Sequence, residues 1–144
     1  MIDAFLTRRV RFAAAHRYHR PEWSDERNRA AFGACANPHG HGHNYRLAVT
    51  VQAPIDDETG FSTGLGALDR MLHEVVIEPL DHQHLNHAVP EFADGASIPT
   101  CENILVWLWP RIADALDAPA RLHRLRLHED DDLFVDYYGG GGPA

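Results

Sequence analysis

A chain of 144 residues with 44% hydrophobic content suits one domain with a real core, predicted over residues 1–138, followed by a frayed glycine-rich tail, 139–144, that can bury no side chain. The net charge of −8 argues against nucleic acid or an anionic membrane as the main partner, since both need a basic surface; a small molecule or a protein fits better. All 13 basic residues are Arg, so a Schiff-base lysine and a P-loop lysine are excluded, and any phosphate must be met by Arg, His or backbone N–H.

Cys35 and Cys101 are too few for a disulfide scaffold, and no apolar N-terminal stretch has the form of a signal peptide. No run approaches the roughly 20 apolar residues of a bilayer span. A cytoplasmic location is expected.

The first element is a strand: Leu6, Val10, Phe12, Ala14 and His16 share one face, with Arg9 and Arg11 on the other. Residues 17–38 are polar and broken by Pro21, Gly33 and Pro38, and read as a long loop with Cys35 near its end. A second strand then carries His41, His43, Tyr45, Leu47, Val49 and Val51 on one face and closes at Pro54. Leu65, Leu68, Leu72 and Val76 recur at helical spacing, which predicts an amphipathic helix stopping near Pro79, just before Asp81 and His82.

Thr100 is the expected N-cap of a second helix that buries Ile104, Leu105, Leu108 and Ile112, and Pro110 should kink or divide it. Leu125, Leu127 and Glu129 on one face, the acidic turn Asp130–Asp132, and Leu133 to Tyr138 form a closing hairpin. The expected fold class is α+β, an antiparallel sheet of four strands with two helices on one face.

In an extended chain, side chains at i and i+2 point the same way, so His41 and His43 can offer two imidazoles to one ion. His16, on the comparable face of the neighbouring strand, is a third. Three neutral imidazoles favour zinc and leave a fourth position for substrate, whereas the plainer reading is a histidine-rich surface. A metal and nearby imidazolium would stabilise the Cys35 thiolate as a proton acceptor, with His82 held by Asp81 as its partner. Otherwise Cys35 is a small hydrophobe and Asp81-His82 a helix-terminal turn. Glu129, facing a core side, needs a partner; a heterocycle with adjacent N–H and amino donors would supply a bidentate one, or it is an ordinary strand-end acid.

Phe12-Ala-Ala-Ala-His16, Cys35-Ala-Asn-Pro-His-Gly-His-Gly-His-Asn-Tyr45, Leu80-Asp-His-Gln-His-Leu-Asn86, Pro99-Thr-Cys-Glu-Asn103 and His128-Glu129 resemble, in order and spacing, the 6-pyruvoyltetrahydropterin synthase and 6-carboxytetrahydropterin synthase family. The resemblance covers nearly the whole chain. It implies a tunnelling fold, in which trimers form barrels that stack into a homohexamer with active sites between subunits. It implies Zn2+ held by His16, His41 and His43, and Cys35 as general acid/base. It also implies Asp81 and His82 as a proton relay from a neighbouring subunit, and a pterin ring anchored by Glu129 with Thr100 and Glu102. The substrate implied is 7,8-dihydroneopterin triphosphate.

Two products are compatible with the family. Its 6-pyruvoyl type places five residues between the cysteine and His-Gly-His, and its 6-carboxy type, which serves queuosine biosynthesis, places three. Counting to His41-Gly42-His43 gives five, and to His39-Gly40-His41 three. The first count is preferred, because Asn44-Tyr45 and the alternating strand follow directly. A pyruvoyl product of tetrahydrobiopterin biosynthesis is therefore the leading reading, the 6-carboxy enzyme the alternative, and a non-catalytic metal- or pterin-binding module the third. The chain departs from the usual family pattern at Gly64, where Asp or Asn is common, at Cys101, where Thr or Ala is common, and in having no lysine.

Overall fold

The structure, a computed structural model, describes residues 2–140. Strand β1 (Asp3–His16) pairs antiparallel with β2 (His41–Pro54) along its whole length, from Asp3 opposite Pro54 to His16 opposite His41. Fourteen residues at about 3.3 Å each make a ladder roughly 45 Å long. Strand β4 (Arg121–His128) joins the far side of β2, and β5 (Phe134–Tyr137) closes the edge as the expected hairpin.

Four strands are thus antiparallel, and a fifth was not expected. Strand β3 (Gln83–His84) pairs parallel with Ala14 and Ala15, giving the order β3-β1-β2-β4-β5. Two residues are too short for any periodicity to reveal. Their pairing places the Asp81-His82 turn beside the end of β1 that carries His16.

The segment 17–38 is not simply a loop. It contains helix α1 (Asp25–Phe32) and a 3-10 turn over Gly33–Ala36 that holds Cys35. Polar bonds order it. The Ser24 hydroxyl caps α1 by accepting from Arg27 N, and the buried Asn28 side chain accepts from Arg20 N at 2.7 Å and donates to Arg20 O at 3.0 Å. A helix whose buried anchor is an asparagine shows no apolar stripe, so the pattern that reveals amphipathic helices is silent here.

Helix α2 (Leu65–Leu72) begins a helical run that stops near Pro79, as expected, at Leu80. It widens into a π turn over His73–Ile77, where Glu78 N bonds to His73 O, and runs on through α3 (Glu78–Leu80). The wide turn dispenses with the i→i−4 bond that Pro79 cannot make. After the short α4 (Leu85–Ala88), helix α5 (Cys101–Ala115) is capped as expected by Thr100, whose Oγ1 accepts from Asn103 N at 3.2 Å. It passes through Pro110 undivided. Arg111 Nη1 donates to the Trp107 carbonyl at 2.7 Å, which supplies a donor in the turn that the proline disturbs.

Helices α2 and α5 lie on one face of the sheet. Leu68, Leu72, Ile104, Leu105, Leu108 and Ile112 pack there on Tyr45, Leu47, Val49, Val51, Leu125 and Leu127, all buried. The other sheet face carries Arg9, Arg11, Arg46, Arg124 and Arg126. No helix among the described residues is long and apolar enough to cross a membrane. Of the expected tail, 141–144 lie outside the described residues. Gly139 stands where a Cβ would come within 2.5 Å of the Trp109 ring, so only glycine fits against that indole.

Candidate metal centre and active site

The β1–β2 register builds the centre. His16 is the last residue of β1 and fully buried, His41 lies directly opposite it, and His43 lies opposite Ala14 on the same face. Gly40 makes the close approach possible: its φ is +71°, and a Cβ there would sit 2.3 Å from the His16 carbonyl oxygen. Glycine is the only residue that lets the strand begin so near His16.

The three rings converge. His16 Nε2 and His41 Nε2 are 3.1 Å apart, and Cys35 Sγ is 3.1 Å from His41 Nε2. Glu129, just past the end of β4, brings Oε1 to 2.8 Å from His43 Nε2 and 3.7 Å from His16 Nε2. One donor atom from each of His16, His41, His43 and Glu129 lies within 4.8 Å of the others. His39 stands outside this group, among Arg17, His84 and His87 on a separate cavity wall. The cluster therefore uses the His41-Gly42-His43 register.

Burial disfavours the charged forms of His16 and His43. Desolvation, then the neighbouring imidazoles of His43 and His41, lowers the His16 pKa to about 3. His43 is also lowered, mainly by desolvation and against the pull of Glu129. Neutral imidazoles present nitrogen lone pairs. His16 Nδ1 is 2.7 Å from the buried Tyr45 hydroxyl, which leaves Nε2 free to face the cluster. His43 Nε2 is buried without a hydrogen-bond partner, although a carboxylate oxygen is close by. An orphaned nitrogen beside a carboxylate in a cage of imidazoles fits a divalent cation, and the N/O donor set suits zinc.

Cys35 is half-buried, and desolvation followed by the Glu129 charge holds its thiol above the usual range. A bound cation would act in the opposite direction. Glu129 has a second neighbour in Cys101, whose thiol donates to Oε2 at 3.8 Å. Cys101 is itself pushed up to about 12 by desolvation and by Glu129. Tyr18 stacks on His16 with ring centroids 4.4 Å apart and closes the other side of that ring.

Other expected site residues are placed differently. The Thr100 hydroxyl is engaged as the α5 cap, and Glu102 is exposed on the first turn, where its charge helps raise Tyr18 and Cys101. Asp81 accepts from Ala13 N at 2.8 Å and lies 2.8 Å from His82 Nδ1; these bonds, Ala13 first, hold its carboxyl below the usual range. His82, at φ 59°, has an 82% exposed side chain. Both residues bond to the Ala13 backbone at the edge of β1; Asp81 lines a cavity with His43 and Glu129, and His82 lines a second one with His43 and His84, whereas Cys35 lines neither. The pair is formed, but it is not brought to Cys35 within one chain.

Sequence reasoning missed three relations: the Tyr45 hydroxyl on His16, the Tyr18 stack, and the Cys101–Glu129–His43 chain. Only the first had a signal, since Tyr45 continues the i, i+2 face of His41 and His43.

Comparison with known proteins agrees with this geometry. The 6-pyruvoyl tetrahydropterin synthase family model matches residues 5–140. A 6-pyruvoyl tetrahydrobiopterin synthase of Poecilia reticulata is 45% identical over 136 residues, 94% of this chain and 90% of that protein. The Homo sapiens protein of the same name is 40% identical over 137 residues, 95% of this chain and 92% of that one. The solved structure of Caenorhabditis elegans 6-pyruvoyl tetrahydropterin synthase superposes with a TM-score of 0.88 at 29% identity, covering 96% of this chain and 97% of that one. The chain folds as the tunnelling-fold unit and belongs to the 6-pyruvoyl tetrahydropterin synthase family.

Proposed function

We propose that the protein is a zinc-dependent 6-pyruvoyltetrahydropterin synthase, a lyase that eliminates triphosphate from 7,8-dihydroneopterin triphosphate while protons move along the side chain. The observation that carries this reading is the convergence of His16, His41 and His43 with the Cys35 thiol 3.1 Å from His41 Nε2. When bound, zinc would polarise the side-chain oxygens of the substrate and favour the Cys35 thiolate.

The chain's own residues supply the rest. Glu129 would accept two hydrogen bonds from the ring N–H and amino group of the pterin, fixing the heterocycle so that its side chain reaches Cys35. Cys35 would take and return protons at the side-chain carbons. The half-buried setting excludes much of the water that would compete for those protons. Thr100 and Glu102, next to Cys101, would border the ring. In a chain without lysine, the phosphates fall to Arg, His or backbone N–H.

Asp81 and His82 would complete the relay from a neighbouring subunit, because within one chain they bond to Ala13 and to each other. This supports a homohexamer of two stacked trimers with sites between subunits. The pyruvoyl product is favoured over the 6-carboxy one, because His39 stands outside the cluster and Cys35 is followed by five residues before His41. A cytoplasmic enzyme of tetrahydrobiopterin biosynthesis is the corresponding cellular reading.

Metal analysis of the purified protein with a triphosphate-release assay tests the proposal. One zinc per chain and substrate-dependent release are expected, both lost in His41→Ala. Release that survives loss of the metal would refute it.

A further inference from the structure

The metal cluster contains four donors, whereas an ion that must meet substrate needs a position free. His16 Nε2 and His41 Nε2 are 3.1 Å apart, His43 Nε2 and Glu129 Oε1 2.8 Å, and His16 Nε2 and Glu129 Oε1 3.7 Å. A tetrahedral ion with bonds of about 2.0–2.1 Å sets its donors about 3.4 Å apart. These three separations bracket that edge, all four donor atoms lie within 4.8 Å of one another, and Glu129 Oε1 is the atom that would take the fourth corner.

The state of His43 points the same way. Its Nε2 is buried and makes no hydrogen bond although Oε1 is 2.8 Å distant. A short contact without hydrogen-bond alignment, between an imidazole nitrogen and a carboxylate oxygen, is the relation of two lone pairs directed at one cation. Oε2 meanwhile keeps a separate neighbour, the Cys101 thiol at 3.8 Å.

We propose that Glu129 is the displaceable fourth ligand of the metal: it caps the ion in the substrate-free enzyme and releases it when a pterin ring offers its paired N–H and amino donors. The inference rests on the metal and pterin roles proposed above and joins them. One carboxylate cannot serve both partners with the same oxygen, and a bidentate pair of N–H donors is the competitor that can draw it away. Recognition of the ring thereby opens the coordination position beside the substrate side chain, and a ligand with the side chain but no ring donors leaves the ion capped.

Cobalt(II) in place of zinc reads the coordination directly, through the intensity and position of its visible bands. The substrate-free wild type should give a four-coordinate spectrum that changes when 7,8-dihydroneopterin is added. Glu129→Ala should alter the substrate-free spectrum and weaken zinc, measured by chelator competition, about 10-fold or more. Glu129→Gln, nearly isosteric, repeats the test if the alanine variant folds poorly. A wild-type cobalt spectrum and unchanged zinc affinity in a folded Glu129 variant would overturn the proposal. Full cobalt binding by His41→Ala would instead overturn the metal reading on which it rests, so the two failures are told apart.

Discussion

The Tyr45 hydroxyl lies 2.7 Å from His16 Nδ1, and both residues are wholly buried. Tyr45 also stacks on Phe12, with ring centroids 4.9 Å apart, so its position is set by packing. The hydroxyl can fix the tautomer that puts the Nδ1 proton toward tyrosine and the Nε2 lone pair toward the metal cluster. Tyr45→Phe keeps the ring and removes that partner. Zinc affinity should fall about 10-fold to 100-fold, the range for outer partners of metal histidines, and chelator competition measures it. Unchanged affinity would show that packing alone orients His16.

Cys35 is predicted to move protons and not to hold the metal. Cys35→Ala should retain zinc while turnover falls about 100-fold or more, the scale of general acid/base loss. Metal content and steady-state rates on the same preparation separate this from a ligand role, in which both would fall together.

Asp81 and His82 bond to the Ala13 backbone and to each other and share no cavity wall with Cys35 in one chain, which predicts complementation between subunits. Cys35→Ala and His82→Ala proteins should each turn over far more slowly than wild type alone, and co-assembled mixtures should regain activity at sites that pair an intact Cys35 with an intact His82. Mixed assemblies as slow as either parent would place the relay elsewhere.

The hairpin that presents Glu129 is clamped by Arg126, whose Nε and Nη2 donate to Asp136 at 2.7 and 2.9 Å. That pairing is the first cause holding the Asp136 carboxyl below its ordinary range. A lowered native value means that the unfolded chain binds the proton more readily. The stabilisation is therefore present above about pH 4 and is lost as pH falls through the native value. Asp136→Asn should cost about 0.5–1 kcal/mol at neutral pH, discounted for partial exposure, and melts between pH 5 and pH 2 should converge with wild type. Parallel curves would contradict this.

The sequence made the metal face legible because a strand period of two is rigid: His41, His43 and Tyr45 had to share a side, and His16 was the matching end of β1. Thr100 was legible as a cap because its hydroxyl stands three residues before the amide it serves. Helix α1 was not, since its anchor is the polar Asn28, and β3 was not, since two residues carry no period. The end of the helical run near Pro79 was legible, but the π turn before it was hidden, because such a turn is an accommodation of packing rather than of composition. Glu129 could be read as an acid in need of a partner, but its nearness to His43, 86 positions away, arises from the β2–β4 pairing that sets Arg46 opposite His128. The place of Asp81-His82 depends on the pairing of β3 with the edge of β1 and on bonds to the Ala13 backbone, properties of the assembled sheet.

The central claim is tested most directly by the product. Zinc-loaded protein incubated with 7,8-dihydroneopterin triphosphate, followed by mass spectrometry, should yield 6-pyruvoyltetrahydropterin and inorganic triphosphate without acetaldehyde. Formation of the 6-carboxy product with acetaldehyde, or intact substrate in the presence of fully metal-loaded protein, would contradict it.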